Sequence, residues 1–229
     1  MFNNLKKDYE KAKFIKGFEK IIRLKDRKEK DFFGVDGCGL EIEFGVRYSR
    51  DSISYIETGL QKLVDIVSGN GKFVIDNTIG NDLNLEIVLN PFHKEELKPI
   101  MNKINQIFDF YENFEITDSC GVHANFKADD GLKRAFFEDL ANGGYDPKYF
   151  VHNKFKVDFL TIIHRKDGTV MTYDEYVEHQ KNISAKYVAV NFLKKDLIEF
   201  RSLDLTWENI EYVIDMFERV KSEYDQRQK

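Results

Sequence analysis

Two glutamates in the run Gly39-Leu40-Glu41-Ile42-Glu43-Phe44-Gly45-Val46 are the first residues of this chain whose types and spacing could do chemistry. Side chains alternate faces along a strand, so Glu41 and Glu43 project together while Leu40, Ile42, Phe44 and Val46 project the other way. Neighbouring carboxylates repel unless a cation or a shared proton relieves them. A single such pair reads as the solvated face of an antiparallel sheet. Three later runs repeat the arrangement: Glu86 between Leu85 and Ile87, His123 and Asn125 among Val122, Ala124 and Phe126, and Glu199 and Arg201 on either side of Phe200. Four acids with a histidine suit Mg²⁺ or Mn²⁺, hard cations that prefer carboxylate oxygen and, for Mn²⁺, accept imidazole. The expected ligands are Glu41, Glu43, Glu86, His123 and Glu199. The chain has no Cys and His spacing of a structural zinc site. Arg201, two residues from Glu199, is placed to hold a phosphate that the metal also touches.

The elements that must position these residues follow from periodicity. Helical spacing predicts helices over 52–67, 93–112, 129–140, 173–181 and 207–224. Strands are predicted at 72–76 and 83–89, joined as a hairpin, at 114–117, around His123 and Asn125, and at 158–164 ahead of an Arg165-Lys166-Asp167-Gly168 turn. A second hairpin is predicted from 185–193 and 196–203 through Lys194-Lys195-Asp196. Helices and hairpins alternate irregularly, so the expected class is α+β, a mostly antiparallel sheet with helices on one face and a polar opposite face.

Composition bounds the function. At 229 residues, 42% hydrophobic and 33% charged, the chain is ordinary for a globular domain. It contains no apolar run of the roughly 20 residues that cross a bilayer and no apolar signal core, so the expected location is cytoplasmic, with no membrane partner. Cys38 and Cys120 are expected as reduced thiols, and Cys120 as a packed residue rather than a nucleophile paired with His123. Residues 1–31 carry eleven Lys or Arg and six Asp or Glu, which leaves the rest of a chain of net charge -5 at -10. Phe14, Ile15, Phe18, Ile21, Ile22 and Leu24 space an amphipathic helix there, so residues 1–30 are expected as a basic N-terminal helix beside one domain of 31–229. Its lysines are interleaved with acids, which speaks against nucleic acid as a partner.

The order of these pieces resembles a family. Gly39 to Phe44, the hairpin of Asp76 to Pro91, Cys120 to Asn125, Lys186 to Asn191 and Glu199 to Arg201 are similar to the motifs of the amidoligases, small relatives of glutamine synthetase and glutamate-cysteine ligase. The resemblance implies a curved sheet with helices on its convex face. Its concave face would bind ATP with Mg²⁺ or Mn²⁺, phosphorylate a carboxylate, and let an amine displace the phosphate to form an amide. It implies Arg201, Glu86 and Asn191 as catalytic residues, His123, Asn125, Lys186 and Arg201 as nucleotide contacts, and small-molecule or peptide carboxylates and amines as substrates. Two departures stand out. Asn125 occupies the place of a second histidine and Asp76-Asn77-Thr78 that of Asp-Gly-Ser. Asparagine still donates to a phosphate. A metal-dependent hydrolase and a binding module of the same fold without turnover remain open beside the ligase.

Overall fold

Strand β1 (Cys38–Val46) meets a different medium on each face. Leu40, Ile42 and Phe44 are wholly buried, each removing an apolar side chain worth about 1.5–3 kcal/mol from water, while Glu41 and Glu43 between them turn the other way. The computed structural model describes residues 13, 16–18, 37–47, 52–75, 83–116, 121–149, 163, 165, 167–182 and 188–229. Around β1 it builds a seven-stranded sheet from β2 (Gly71–Ile75), β3 (Leu83–Phe92), β4 (Phe114–Glu115), β5 (Val122–Lys127), β6 (Val190–Asn191) and β7 (Leu197–Leu203). The order is β2-β3-β1-β5-β7-β6, with β4 paired to β1 off this path, and all the pairings are antiparallel.

The helices are α1 (Ile53–Val67), α2 (Lys94–Phe110), α3 (Asp130–Ala141), α4 (Tyr173–Asn182) and α5 (Trp207–Arg227). Three of them lie on the apolar sheet face. Phe108 of α2 meets Phe44 edge-on at 5.1 Å, Phe136 of α3 meets Phe200 at 5.5 Å, and Phe217 of α5 stacks on Phe126 at 4.4 Å. Side-chain caps start α3 and α5: Asp129 accepts from the Leu132 N–H at 2.7 Å and Thr206 from that of Asn209 at 3.3 Å. The class is therefore α+β with an antiparallel sheet, as the periodicity implies. Among the described residues no helix is long and apolar enough to cross a membrane.

The predicted helices stand within three residues of their observed ends, and the first hairpin is present as β2 and β3. Two strand expectations are corrected. Of the strand expected over 185–193, the described residues 188–193 form only Val190–Asn191, where Gln180 of α4 donates to the Val190 carbonyl at 2.7 Å and accepts from the Phe192 N–H at 3.1 Å, so that one side chain takes the place of a ladder. Within the expected strand 158–164, the described residue Ile163 is helical and fully buried. Strand 114–117 is seen as Phe114–Glu115. Of the N-terminal helix, Lys13 and residues 16–18 are described as helical, with Phe18 buried edge-on to Phe73 at 6.4 Å. The rest of that segment, Asp76 to Thr78, Cys120 and Lys186 lie outside the described residues. Cys38 is a free, buried thiol, its ionisation pushed up by burial.

Candidate metal centre

Register turns the alternating pattern into a site. Glu41 pairs with His123 across β1 and β5, Asn125 with Glu199 across β5 and β7, and Glu199 with Asn191 across β7 and β6. Residues directly opposite in a ladder share a face. Between the Val122–Leu203 and Ala124–Phe200 pairs the register shifts, leaving Arg201 and Ser202 opposite His123 beside the cluster. The carboxylate of Glu41, the imidazole of His123 and the carboxylate of Glu199 each offer an atom, and these atoms lie within 4.8 Å of one another.

The contacts are close and largely buried. His123 Nδ1 lies 3.2 Å from Glu41 Oε2 and 3.8 Å from Glu199 Oε1, and its Nε2 lies 3.8 Å from Glu43 Oε1. Asn125 Nδ2 donates to Glu41 Oε1 at 3.0 Å. The Glu199 side chain is fully buried, and its Oε2 accepts from Asn191 Nδ2 at 2.8 Å and from an Arg201 guanidinium nitrogen at 3.0 Å. Lys194 reaches in from the turn between β6 and β7, its Nζ 2.7 Å from Glu199 Oε1 and 3.5 Å from Glu41 Oε1.

These neighbours set the charge states. Burial pushes the Glu41 carboxyl upward, but the His123 hydrogen bond and the Lys194 charge outweigh it and hold the group at about 2. Burial likewise opposes ionisation of Glu199, and the Arg201 and Lys194 charges, with the His123 ring beside them, hold it below the ordinary carboxylate range. Lys194, whose burial works against its charge, is held above the usual lysine value by Glu199 and Glu41. The site is a mutually stabilised set of charges.

Of the residues expected at this site, Glu41, His123 and Glu199 form the cluster, with Asn125, Asn191 and Arg201 bonded to its carboxylates. Glu43 touches His123 from the other side. Glu86 is paired with Glu43 across β1 and β3, two residues along β1 from Glu41, and lies outside the three-donor group.

Three residues that sequence reasoning passed over position the site. Lys194 is one. Lys133, buried in α3, donates to the carbonyls of Lys194 at 2.7 Å and Phe192 at 3.4 Å, fixing the turn that carries Lys194. Gln180 pins the same segment from α4. Asn191 Oδ1 accepts from the Leu193 N–H at 2.9 Å, and Asp196, at φ 54°, accepts on its carbonyl from the Ala128 N–H at 3.0 Å. Lys133 was visible in principle, since it falls on the stripe Leu132, Phe136, Phe137 and Leu140, where a lysine is out of place unless its ammonium has work. We expect Lys133→Met to lower unfolding free energy by about 1–3 kcal/mol, measured by urea denaturation, because it leaves buried carbonyls without their donor. A change below about 0.5 kcal/mol would mean that water replaces the ammonium.

A scan of the chain against protein-family models gives no match, and a search of curated proteins gives none either.

Proposed function

We propose that the chain is an ATP-dependent carboxylate-amine ligase built on a curved, glutamine synthetase-like sheet, with Mg²⁺ or Mn²⁺ held by Glu41, His123 and Glu199. The observation that carries this reading is the three-donor cluster with Arg201 beside it on one sheet face. Two carboxylates and an imidazole within 4.8 Å fit a hard divalent ion, and Glu199 Oε1 is a buried oxygen without an aligned hydrogen-bond donor. A divalent ion there supplies charge neutralisation for nucleotide phosphates during transfer. Asn191 and Asn125 hold the Glu199 and Glu41 carboxylates in place, and the Arg201 guanidinium steadies charge developing on the transferred phosphoryl group. In the reaction a substrate carboxylate oxygen takes the γ-phosphoryl group of ATP and ADP leaves. The amine nitrogen then attacks the acyl carbon, phosphate leaves, and the amine loses its proton. The paired carboxylates of Glu43 and Glu86 suit the cationic amine before that proton departs.

A second reading, a nucleotide- or metal-binding module without turnover, is favoured by one observation: Asn125 and Lys194 both engage Glu41 Oε1. One screen separates them. Purified protein with ATP, Mg²⁺ or Mn²⁺, and panels of carboxylates and amines is expected to form ADP together with a new amide, read by mass spectrometry. Phosphate release without an amide would identify a hydrolase, and binding without ADP formation the module. Calorimetry showing no nucleotide binding with either metal would remove the ligase reading.

A further inference from the structure

We infer that the Lys194 ammonium is a tethered counter-ion seated where the divalent ion binds, so that metal enters by exchange with it. The inference rests on the metal centre proposed above. Its basis is a spatial conflict. Hard divalent ions sit about 2.0–2.6 Å from their oxygen ligands. Donor atoms within 4.8 Å of one another therefore enclose room for one cation. Lys194 Nζ already lies 2.7 Å from Glu199 Oε1 and 3.5 Å from Glu41 Oε1, the two carboxylates of that cluster. Two cations cannot share the seat.

The two oxygens of Glu199 divide the work. Oε2 is taken by Asn191 and Arg201 in hydrogen bonds that fix the carboxylate. Oε1 faces Lys194 in an ion pair but out of hydrogen-bond alignment, which leaves it the exchangeable position. The backbone of the lysine is pinned through Lys133, while its side chain is 34% exposed and has a path to solvent. Until metal arrives the ammonium keeps Glu41 and Glu199 from repelling each other and holds both in the geometry that a metal needs. A monovalent ion has no charge advantage over the lysine, whereas a divalent ion has twice its charge, so exchange selects divalent cations.

The test is calorimetric titration of nucleotide-free protein with Mn²⁺, paired with melting curves at zero and saturating Mn²⁺, for the wild type, Lys194→Met and Lys195→Met. Lys195 is the exposed neighbour on the same turn, so its change removes the same charge without vacating the seat. Lys194→Met is expected to bind Mn²⁺ roughly tenfold to hundredfold more tightly, to melt lower than wild type without metal, and to recover with it. Lys195→Met is expected to shift affinity less than about twofold, as for a screened surface charge. Should Lys194→Met melt below the titration temperature, Lys194→Gln, which keeps a polar group on the carboxylates, carries the same reading. Affinity unchanged or weakened by the Lys194 change, in a series whose wild type binds Mn²⁺, overturns the exchange and leaves the metal centre standing. Equal tightening by both lysine changes also overturns it, in favour of general charge. Absence of Mn²⁺ binding in every folded variant removes the metal centre and this inference with it.

Discussion

Glu199→Ala is expected to lower unfolding free energy by about 3–5 kcal/mol, because a fully buried carboxylate leaves behind the cations that surround it. The side chain of Arg201 is 16% exposed and that of Lys194 34%, so the lysine can turn toward water while the guanidinium stays partly desolvated. Asn191 loses its acceptor as well, adding an unpaired buried donor. For a chain of this size the loss corresponds to a fall in Tm of roughly 6–20 °C. Glu199→Gln keeps the shape and an acceptor for Asn191, so it should cost less than alanine, yet it removes a ligand charge and should weaken Mn²⁺ binding as far as alanine does. Differential scanning calorimetry on both variants measures the first effect and titration with Mn²⁺ the second. Should alanine melt within about 2 °C of wild type, water or neighbouring carboxylates must already satisfy the two cations, and Glu199 would not be the centre of this network.

Much of this arrangement is written in local pattern. Period-two alternation puts Glu41 and Glu43 opposite Leu40, Ile42 and Phe44, and Glu199 opposite Ile198 and Phe200, because a strand surrounded on one face by aromatic helix residues accepts nothing else there. Register is a tertiary property. Faces alone group Glu86 with the metal acids, and the β1–β3 pairing sets it beside Glu43 instead, while the β1–β5 pairing brings His123 to Glu41. The same limit hides Lys194. A Lys-Lys-Asp turn reads as solvated, and only Lys133, Asn191 and Ala128 closing on that turn bring one of its two lysines back over the sheet. The short β6 has a similar cause: 185–193 has strand propensity, but one buried glutamine satisfies two of its backbone groups.

If the chain is the ligase proposed above, Arg201→Ala is expected to lose about 10³-fold in ATP turnover, and on either reading to lose stability too. Alternation alone makes Arg201 a cleft residue in a crowded charged site, removable at no cost to folding or with a small gain. The geometry reverses that sign. Its guanidinium donates to Glu199 Oε2 at 3.0 Å, so alanine takes one of two donors from a wholly buried oxygen. Lys194 still faces the other oxygen, which keeps the cost to about 1–3 kcal/mol rather than that of a lone buried charge. The kinetic loss has a separate origin: removing a cation that stabilises transferring phosphoryl charge costs 10³-fold or more in comparable reactions. Lysine should restore part of the stability, since one ammonium can reach one carboxylate, and little of the rate, because a point charge cannot grip two phosphate oxygens as a planar fork does. Melting curves and turnover per folded molecule separate the two roles. A variant that melts several degrees lower while its folded fraction turns over ATP at the wild-type rate would make Arg201 a structural partner of Glu199 and nothing more.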